Sequence, residues 1–419
     1  MHVADVHLGY LQYSSSIRYN DFARSFSAMV DDAITRKVDF VLVAGDLFHK
    51  RSLDPQTLYQ AVGLLAPLHE HNIPLVAIIG NHENPHIFEG MSWPDYLNVT
   101  GQIILLDAYM KDNQFVIAPW DNKSRKGTFI DLPCGARIIG SRYYGASTPQ
   151  VLEKYREVLA GLPSAPYSIF MLHAGLQGTL DIQAPSVTRS QLDPLRAYTD
   201  YIAMGHFHKP YEQDGWIYNP GSLETVSVEE VSWDDRGYLY VEVDPSRQPK
   251  HCVTHIRSKR RPFVRLSFPV DTSPSPTALM AALLDYAKQQ LPPQDQRQPV
   301  IEVTLRGALQ FERSNLDMAA IEEQIKQSCN SLLVRIHDAT STNETDIDLP
   351  ENQTRSELEQ GVLQELIGRD ARFRDASAEW ASFITQLKGA ALSSLPAEEI
   401  AHELMAFLTQ HPLESSDAH

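Results

Sequence analysis

Several short apolar runs in the first half of this chain are each followed by a polar residue that could bind a ligand. Four of the runs are residues 38–44, 73–79, 167–172 and 201–204. The polar residues that follow an apolar run are Asp5, Asp46, Asn81, His173 and His206. Apolar runs of this length, bounded by turn signals, are typical of buried strands. Because α/β sheets bind ligands beyond the carboxyl ends of their strands, we expect these five side chains to converge on one rim.

The segments between the runs have helical periodicity. Leu58, Val62, Leu65 and Leu68 recur at the spacing of one helix face. Strands that alternate with helices in this way indicate a layered α/β domain. The first part of the chain is therefore predicted to have an α/β fold.

The chain changes character twice after this region. Residues 257–262 contain four basic residues and a proline, which indicates a connector. Residues 263–338 again alternate strand and helix patterns, which predicts a small second α/β domain. The last segment has three amphipathic stripes and predicts short helices that cannot bury much surface alone. We therefore predict three parts, namely residues 1–256, 257–340 and 341–419.

The composition limits the class of protein. Hydrophobic residues make up 43% and charged residues 21%, values that are usual for a folded soluble chain and exclude a mostly disordered one. No apolar run is long enough to span a membrane, and the first residues do not resemble a signal peptide. Cys134, Cys252 and Cys329 are too widely spaced for a cysteine zinc site. We expect a cytoplasmic protein, associated with the nucleoid if the source is prokaryotic.

The net charge of −17 is unevenly distributed. Residues 341–419 contain 15 acidic and 5 basic residues, a net charge of −10. An acidic segment of this kind does not favour contact with nucleic acid or an anionic membrane. A polyanion would therefore have to bind a local basic patch elsewhere in the chain.

Five short motifs contain the residue types of a two-metal site. They are Asp5-Val6-His7, Gly45-Asp46, Gly80-Asn81-His82-Glu83, His173 and Gly205-His206-Phe207-His208. Carboxylate, amide oxygen and neutral imidazole suit Mn²⁺, Fe or Zn²⁺. Each motif alone is more often a turn, a helix start or a satisfied polar residue, but all five in this order indicate a binuclear centre. Two cations that share a bridging carboxylate clamp a phosphate and lower the pKa of a water molecule, as phosphoester hydrolysis requires.

The order of these motifs resembles the calcineurin-like metallophosphoesterase superfamily. The longer phrases ADVHLGY, RYNDF, VLVAGDLFHKRSLDP, IIGNHE, MGHFHKP and NPGSLE are similar to its branch of double-strand-break-repair nucleases. That branch includes the bacterial SbcD nucleases and their archaeal and eukaryotic meiotic-recombination-type counterparts. The motif match covers residues 1 to about 225. The resemblance implies a four-layer α/β/β/α metallophosphoesterase sandwich, followed by a small α/β capping domain and a helical C-terminal tail.

The resemblance also implies a role for each motif residue. Seven residues would hold two divalent cations: Asp5, His7 and His208 the first, Asn81, His173 and His206 the second, and Asp46 both. His82 would be the catalytic residue that faces the phosphate, where it stabilises the transition state or protonates the leaving oxygen. The cations are expected to be Mn²⁺, with Mg²⁺ or other ions as substitutes.

Basic and aromatic residues near the motifs are candidate DNA contacts. They are Tyr10, Arg18, His49, Lys50, Arg51, Lys123, Arg125, Lys126 and Lys209. Any one of them is more often ordinary solvated surface, but together they would offer the local positive surface that a DNA backbone needs. The sequence has no zinc finger and no Gly-rich phosphate loop. It therefore predicts recognition of DNA backbone and ends, with little sequence preference.

The resemblance implies a Mn-dependent DNA nuclease of double-strand break repair, with exonuclease action on duplex ends and endonuclease action on single strands or hairpins. It further implies an SMC-like ABC-type ATPase subunit (SbcC-type) as the partner of the C-terminal helices, and a homodimer. The apolar stripes of the tail could equally pack within the chain. Two alternatives stay open: a metal-dependent phosphatase or phosphodiesterase acting on nucleotides or phosphoproteins, and a non-catalytic scaffold.

The chain departs from the family pattern at its first residues. Family members usually have several apolar residues before the Asp-x-His motif, whereas four residues precede Asp5 here. We therefore expect the first strand to be a stub of about four residues. A strand this short could hold Asp5 and His7 loosely.

Overall fold

The computed structural model describes residues 1–85, 90–111, 114–180, 185–233, 235–291, 297–342, 355–368, 373, 376–392 and 397–411. In chain order, the described strands are β1 His2–Val3, β2 Val41–Val43, β3 Leu75–Ala77, β4 Ile104–Leu105, β5 Tyr109–Lys111, β6 Gln114–Val116, β7 Phe129–Asp131, β8 Ala136–Ser141, β9 Tyr167–His173, β10 Gly175–Leu176, β11 Ser186–Val187, β12 Tyr201–Gly205, β13 Tyr211–Gln213, β14 Ile217–Asn219, β15 Gly237–Val243, β16 His251–Arg257, β17 Phe263–Pro269, β18 Val300–Leu309 and β19 Leu333–Thr342. The described α-helices are α1 Ser16–Arg36, α2 Pro55–Glu70, α3 Trp93–Val99, α4 Thr148–Leu159, α5 Arg189–Leu192, α6 Pro276–Gln290, α7 Met318–Ser328, α8 Arg355–Gly368, α9 Ser377–Leu392 and α10 Ala397–Gln410.

Two six-stranded sheets make up the body of the chain. The first sheet has the order β16-β15-β1-β2-β3-β4, and the second has the order β13-β14-β12-β9-β8-β7. Strands β1 to β4 run parallel to one another, as do β8, β9, β12 and β14. The carboxyl ends of the parallel strands in each sheet therefore share one edge, which is where the candidate ligands occur.

The alternation of side chains along each strand produces the layers. On β2, Val41 and Val43 pack with residues of α1 and α2, whereas Leu42 belongs to an apolar cluster shared with the second sheet. On β12, Ile202 packs with residues of α4, whereas Ala203 belongs to the same shared cluster. Helix, sheet, sheet and helix thus follow one another, because strand side chains alternate between two faces. The predicted α/β/β/α sandwich is confirmed.

The helix that follows the second motif begins where its sequence predicts. Asp54 caps α2, because its side chain accepts a hydrogen bond from the backbone of Thr57 at 2.9 Å. Pro55 occupies the first helical position, where its missing N–H costs nothing. This cap fixes the loop between β2 and α2, which carries Asp46 and His49.

Several strands are shorter than the apolar runs that predicted them. Only three residues of the run 38–44 form β2, and only three of the run 73–79 form β3. The predicted four-residue first strand is the two-residue β1. Conversely, His173 is the last residue of β9 and does not follow it. The remaining residues of these two runs lie on both sides of the strands, at positions 38–40 and 44 and at positions 73–74 and 78–79.

A third sheet has the order β17-β18-β19. Residue contacts divide the chain into two compact units. The first contains Met1–Ser267, Leu283–Thr304 and Met318–His337, and the second contains Phe268–Ala282, Leu305–Asp317 and Asp338–His419. The predicted boundaries near residues 257 and 341 are not tested by this division and stay a prediction.

The described tail is helical, as predicted. The rings of Phe383 on α9 and Phe407 on α10 stack with centroids 3.9 Å apart, and Trp380 meets Phe407 edge-on at 4.9 Å. Part of the predicted apolar stripes therefore packs within the tail, whereas Leu366 and Met405 are exposed. Among the described helices, none is both long and apolar enough to cross a membrane.

Candidate metal centre

The candidate ligands lie in loops with unusual backbone conformations. Asp5, His7 and Asp46 have φ angles of 52°, 53° and 53°, and His206 has a φ of 89°. Left-handed conformations of non-glycine residues cost of order 1–3 kcal/mol each and persist only where the surroundings enforce them. Here the two loops are paired, because Asp5 N donates to Gly45 O at 3.1 Å and His7 N donates to Asp46 O at 3.0 Å. This pairing holds Asp5 and His7 in place although β1 has only two residues.

Two motif glycines leave the space that the ligands occupy. A Cβ atom on Gly45 would lie 2.2 Å from Nδ1 of His173, and one on Gly80 would lie 2.0 Å from Oδ1 of Asp46. Both distances are too short for any side chain. The glycines that precede Asp46 and Asn81 are therefore part of the geometry of the site.

A first group of donors consists of Asp5, His7 and His208, whose ligand atoms lie within 4.8 Å of one another. Nε2 of His7 lies 3.0 Å from Nε2 of His208, which lies 3.8 Å from Oδ1 of Asp5. Asp5 and His7 are completely buried. Two imidazole nitrogens that face each other beside a carboxylate need a shared proton or a cation between them. The group is suited to a divalent cation.

A second group of donors surrounds the amide of Asn81. Its Oδ1 atom lies 3.0 Å from Nε2 of His173 and 2.8 Å from Nδ1 of His206. Nε2 of His173 also lies 3.4 Å from Oδ2 of Asp46. Because Nδ1 of His173 is 2.8 Å from the carbonyl oxygen of Ala44, the Nδ1–H group donates there and Nε2 is the atom directed into the site. Asp46 thus lies beside the second group, and Asp5, Asp46 and His173 form a further close set of possible ligands.

The electrostatics of the cluster favour a bound cation. Burial alone would raise the pKa of Asp46, but the charges of His173 and His7 outweigh it and lower that pKa, so Asp46 is an anion. Burial would lower the pKa of His173, but Asp46 outweighs burial and raises it to about 9, so without a cation this ring carries a proton, which a bound cation would displace. Burial together with neighbouring imidazoles lowers the pKa of His206 to about 3 and that of His7 well below its usual value. Carboxylates beside neutral imidazoles are the donor set that Mn²⁺, Fe or Zn²⁺ requires.

His82 lies next to this cluster. Its backbone N–H donates to Oδ1 of Asp46 at 2.9 Å, and its Nδ1 lies 2.9 Å from the carbonyl oxygen of His49, to which it donates. Nε2 is therefore the ring nitrogen of His82 that could interact with a bound ligand. The ring of His82 meets that of His7 edge-on with centroids 4.9 Å apart.

Tyr10 and His49, two of the predicted DNA contacts, form an aromatic stack with His82. The rings of Tyr10 and His49 are 3.7 Å apart, and those of His49 and His82 are 5.0 Å apart. Ligand atoms of His7, His49 and His82 also lie within 4.8 Å of one another. Burial and the neighbouring His82 lower the pKa of His49 to about 4. The structure thus brings both predicted residues to the metal centre.

The remaining predicted DNA contacts have different environments. Lys50 and Arg51 are exposed directly after His49, and Lys50 lines a cavity of about 460 Å³ together with Gly9 and Tyr19. Nζ of Lys209, beside the last motif, lies 3.4 Å from the carbonyl oxygen of Thr179.

Lys123 and Lys126 are exposed, but they precede β7, which is the edge strand of the second sheet. That edge is separated from β12, which is followed directly by His206, by β8 and β9. These two lysines are therefore weaker candidates than Lys50.

Arg18 and Arg125 do not offer their guanidinium groups to a ligand. Arg18 is completely buried, and it donates to Gln12 at 2.9 Å, Asp21 at 2.8 Å and the Thr225 carbonyl at 3.0 Å. The expectation that Arg18 contacts DNA is wrong, because no donor of a fully buried and paired guanidinium can reach a phosphate. Arg125 donates to the carbonyl oxygens of residues 98 and 103, so its guanidinium group is paired with backbone next to α3 and β4.

Two residues that support the site were missed by the sequence reasoning. Glu83 accepts hydrogen bonds from the backbone of Phe48 at 2.7 Å and Gly80 at 3.2 Å, and thereby ties the second motif to the third. Burial, with the charge of Asp46, raises the pKa of Glu83 to about 8. Glu230 lies 2.5 Å from Nδ1 of His208. Glu83 ends the third motif, but its residue type alone does not indicate a supporting role, and Glu230 follows no apolar run, so no local pattern marks it.

Comparison with known families decides the class of this protein. A family model described as calcineurin-like phosphoesterase matches residues 1–210, which contain all five metal-site motifs. The chain belongs to the calcineurin-like phosphoesterase family. The predictions of the family and of the enzyme class, a metal-dependent phosphoesterase, are confirmed.

Several relatives carry the name DNA double-strand break repair protein Mre11. The protein of Archaeoglobus fulgidus is 32% identical over 241 residues, which cover 55% of this chain and 51% of the relative. That of Halobacterium salinarum is 26% identical over 390 residues, with 90% of this chain and 87% of the relative covered. That of Methanosarcina mazei is 36% identical over 345 residues, with 81% and 49% covered. The chain thus spans about half the length of the first and third relatives and most of the second, and the predicted similarity to the double-strand-break-repair branch is confirmed.

Proposed function

We propose that this chain is a metal-dependent DNA nuclease that acts in double-strand break repair. The observation that carries the proposal is the convergence of two carboxylates, one amide oxygen and four imidazoles beside His82. The names of the relatives support DNA as the substrate. We further propose exonuclease action on duplex ends and endonuclease action on single strands or hairpins, with a 3′ hydroxyl and a 5′ phosphate as products.

The residues present fit a pair of divalent cations. Asp5, His7 and His208 would hold the first and Asn81, His173 and His206 the second, with Asp46 shared between them. When bound, the cations would neutralise the charge of the phosphodiester and lower the pKa of the attacking water. We propose Mn²⁺ as the active ion, with Mg²⁺ or others as substitutes, because the imidazole-rich set suits a transition metal.

His82 would contribute the proton chemistry. Its Nδ1–H is directed to the carbonyl oxygen of His49, and its backbone is tied to the shared carboxylate of Asp46. These two bonds fix the ring and leave Nε2 to protonate the leaving oxygen or to stabilise the developing charge. A positioned acid of this kind contributes roughly 10²–10⁴-fold to the rate.

DNA would approach along the aromatic stack and the exposed cations next to it. Tyr10 and His49 extend from His82, and Lys50 and Arg51 follow at once in the sequence. Aromatic faces and cations bind bases and phosphates without reading sequence. We therefore propose backbone and end recognition with little sequence preference.

The other expectations are proposals of the same kind. Residues 257–340 would act as the capping domain, and the helices of residues 341–419 would bind an SMC-like ABC-type ATPase. The chain would act as a homodimer in the cytoplasm. The acidic charge of the tail supports a protein partner for it in preference to DNA.

The test is cleavage of a labelled DNA duplex and a labelled hairpin in Mn²⁺, Mg²⁺ or EDTA, with a p-nitrophenyl phosphate diester as a small substrate. We expect Mn²⁺-dependent DNA cleavage that falls about 10²–10⁴-fold in His82→Ala. His71→Ala is the matched control, since this exposed histidine bonds only to the carbonyl of its own helix among the contacts described. Cleavage of the diester without DNA cleavage, even with the ATPase added, would favour a nucleotide or phosphoprotein phosphoesterase. Failure on every substrate would favour a scaffold.

A further inference from the structure

The two candidate cation positions differ in what holds their histidines. In the second position, Nδ1 of His173 donates to a neutral group, the carbonyl oxygen of Ala44, at 2.8 Å. In the first position, Nδ1 of His208 lies 2.5 Å from Oε1 of Glu230, which is a carboxylate. The difference is therefore in the partner of Nδ1, which is a carboxylate for His208 and a neutral carbonyl oxygen for His173.

Glu230 is itself held rigidly. Its other carboxylate oxygen accepts from Nη1 of Arg236 at 2.6 Å and from the backbone of Val226 at 3.0 Å. Glu230 and Arg236 are 5% and 1% exposed, so neither is a surface charge. Glu230 lies in the short helical turn Val228–Ser232, which begins at the cap residue Ser227.

Arg236 is anchored independently of Glu230. It donates to the carbonyl oxygen of Trp233 at 3.1 Å, to the hydroxyl of Ser222 at 3.3 Å and to the carbonyl oxygen of Glu224 at 3.4 Å. The buried guanidinium of Arg236 thus holds the Glu230 carboxylate on the side opposite to His208.

This arrangement has a specific consequence for His208. A carboxylate that accepts from Nδ1 fixes the tautomer with the proton on Nδ1, orients the ring and makes Nε2 more basic. Nε2 of His208 is the atom that faces His7 at 3.0 Å and Asp5 at 3.8 Å. The basic nitrogen is therefore directed into the first cation position.

We propose that Glu230 is a positioning residue which, through His208, makes the Asp5–His7–His208 position the tighter of the two cation positions. The inference rests on the proposed pair of cations and adds an order to it: the first position fills before the second. Loss of such a partner typically lowers metal affinity 10–100-fold.

The experiment is a titration of the full chain with Mn²⁺. Calorimetry measures the heat of binding, and electron paramagnetic resonance measures the Mn²⁺ that stays free. For the unaltered chain we expect two binding events of different affinity. In Glu230→Gln the new NH₂ group is a hydrogen-bond donor, but it must face either Arg236 or Nδ1 of His208, which both donate to the carboxylate of the unaltered chain. If its oxygen turns to Arg236, the NH₂ faces Nδ1 of His208 and favours the wrong tautomer. We expect the tighter event to weaken about 10–100-fold and the other to stay unchanged.

Two further backgrounds assign the effect to one position. In His206→Ala, which disables the second position, Glu230→Gln should still weaken the remaining event about 10–100-fold. In His7→Ala, which disables the first, Glu230→Gln should change nothing, because the two substitutions act on the same position. Glu229→Gln, an exposed neighbour in the same turn, is the matched control and should bind as the unaltered chain does.

Glu230→Gln leaves Arg236 buried with a weaker partner, so its folding must be checked by thermal unfolding in EDTA. If that variant unfolds, Glu230→Met/Arg236→Met removes both charges together, which buried pairs tolerate well. The folded double variant should show the same weakening of one event. Two unchanged events in either folded variant would overturn the role of Glu230. If the unaltered chain binds no Mn²⁺ at all, the proposed function itself is contradicted. That outcome differs from one in which the unaltered chain binds Mn²⁺ and the Glu230 variants bind it equally well.

Discussion

At the scale of single residues, the site depends on how closely its loops approach one another. Gly80 precedes Asn81, and a Cβ atom there would lie 2.0 Å from Oδ1 of Asp46. Asp46 cannot retreat freely, because its backbone is already in the left-handed region with a φ of 53°. One added methyl group at Gly80 would therefore displace the carboxylate that we assign to both cations.

We expect Gly80→Ala to reduce metal-dependent cleavage about 10²-fold, since a misplacement of about 1 Å at a catalytic group costs this much. The overpacking should also lower the free energy of unfolding by about 1–3 kcal/mol. Cleavage rates and thermal unfolding measure the two effects. Gly63→Ala is the control: it lies in α2 with no atom within 4 Å of the added Cβ, and should gain about 0.5–1 kcal/mol without a change in cleavage. Normal cleavage by Gly80→Ala would contradict the role of this contact.

Lys50 and Arg18 are both basic residues close to a motif in the sequence, but they differ in burial. Lys50 is exposed beside the aromatic stack, whereas Arg18 is buried and paired with Asp21 and Glu224. Lys50→Ala should weaken DNA binding for every sequence and reduce the slope of log affinity against log salt by about one. Arg18→Met should leave that slope unchanged but cost about 3–5 kcal/mol of stability, because it leaves buried carboxylates unpaired. Salt-dependent binding titrations and urea unfolding of both variants test this, and a changed slope in Arg18→Met would restore it as a DNA contact.

The sequence could predict the convergence of the ligands but not the groups that support them. Asp5, Asp46 and His206 are marked by residue type, by the apolar runs before them and by their order along the chain. Glu230 has no such mark, because its partner His208 is brought to it only by the folded loop between β14 and β15. The sequence does not indicate the burial of Arg18 for the same reason, because that burial depends on Thr225 and Glu224, which are distant in sequence.

At the scale of elements, β1 and β12 are tied together next to the site. The ring of His2 lies between them, with Nδ1 3.0 Å from the hydroxyl of Tyr201 and Nε2 3.0 Å from the carbonyl oxygen of Met204. Because a carbonyl only accepts, Nε2 carries the proton and Nδ1 accepts from Tyr201. This tie joins the two strands whose following residues include Asp5 and His206.

The tie should make the stability of the chain depend on pH. Burial lowers the pKa of His2 to about 3, against the effect of the Met204 carbonyl. The unfolded chain takes up this proton near pH 6.5 and the folded chain only near pH 3, so the free energy of unfolding falls as the pH drops through that window. Between pH 7 and pH 5 the loss from this one group is about 2 kcal/mol.

His2→Gln removes this titration but keeps both hydrogen bonds, since an amide oxygen can accept from Tyr201 and its NH₂ can donate to Met204. We expect the variant to lose about 2 kcal/mol less than the unaltered chain between pH 7 and pH 5. Urea unfolding at the two pH values, in EDTA, gives the difference directly. Identical losses for both proteins would show that His2 is not held neutral by the fold.

The periodicity of the sequence predicted which segments are strands and helices, but not how the strands pair. His2 pairs with Leu42 in parallel and with Leu239 in an antiparallel sense, and the second partner is remote in the chain. Such pairing depends on packing between distant segments, which periodicity does not encode. The strands are also shorter than their apolar runs, since β2 takes up only three residues of the run 38–44.

At the scale of the whole molecule, charge and apolar surface are divided between different parts of the chain. The candidate metal centre and the cations beside it belong to the first part, whereas residues 341–419 carry a net charge of −10. The tail therefore repels DNA but still has apolar side chains in solvent. Met405 on α10 is 66% exposed and Leu366 on α8 is 53% exposed. Exposed apolar groups on an acidic segment favour a protein partner.

Met405→Glu tests whether the exposed apolar groups of the tail bind a protein partner. It places a charge on the exposed surface of α10 and leaves the packed rings of Phe383 and Phe407 unchanged. We expect at least a tenfold loss of affinity for the SMC-like ATPase of the same organism, since a charge buried at an interface must be desolvated. Mn²⁺-dependent cleavage of a small diester should not change, and the free energy of unfolding should shift by less than about 0.5 kcal/mol, as for other exposed sites. Gln410→Glu adds the same charge on another face of α10 and should bind as the unaltered chain does. Calorimetric titration of ATPase into each variant gives the affinities, and equal affinity for Met405→Glu and the unaltered chain would remove this surface from the partner interface.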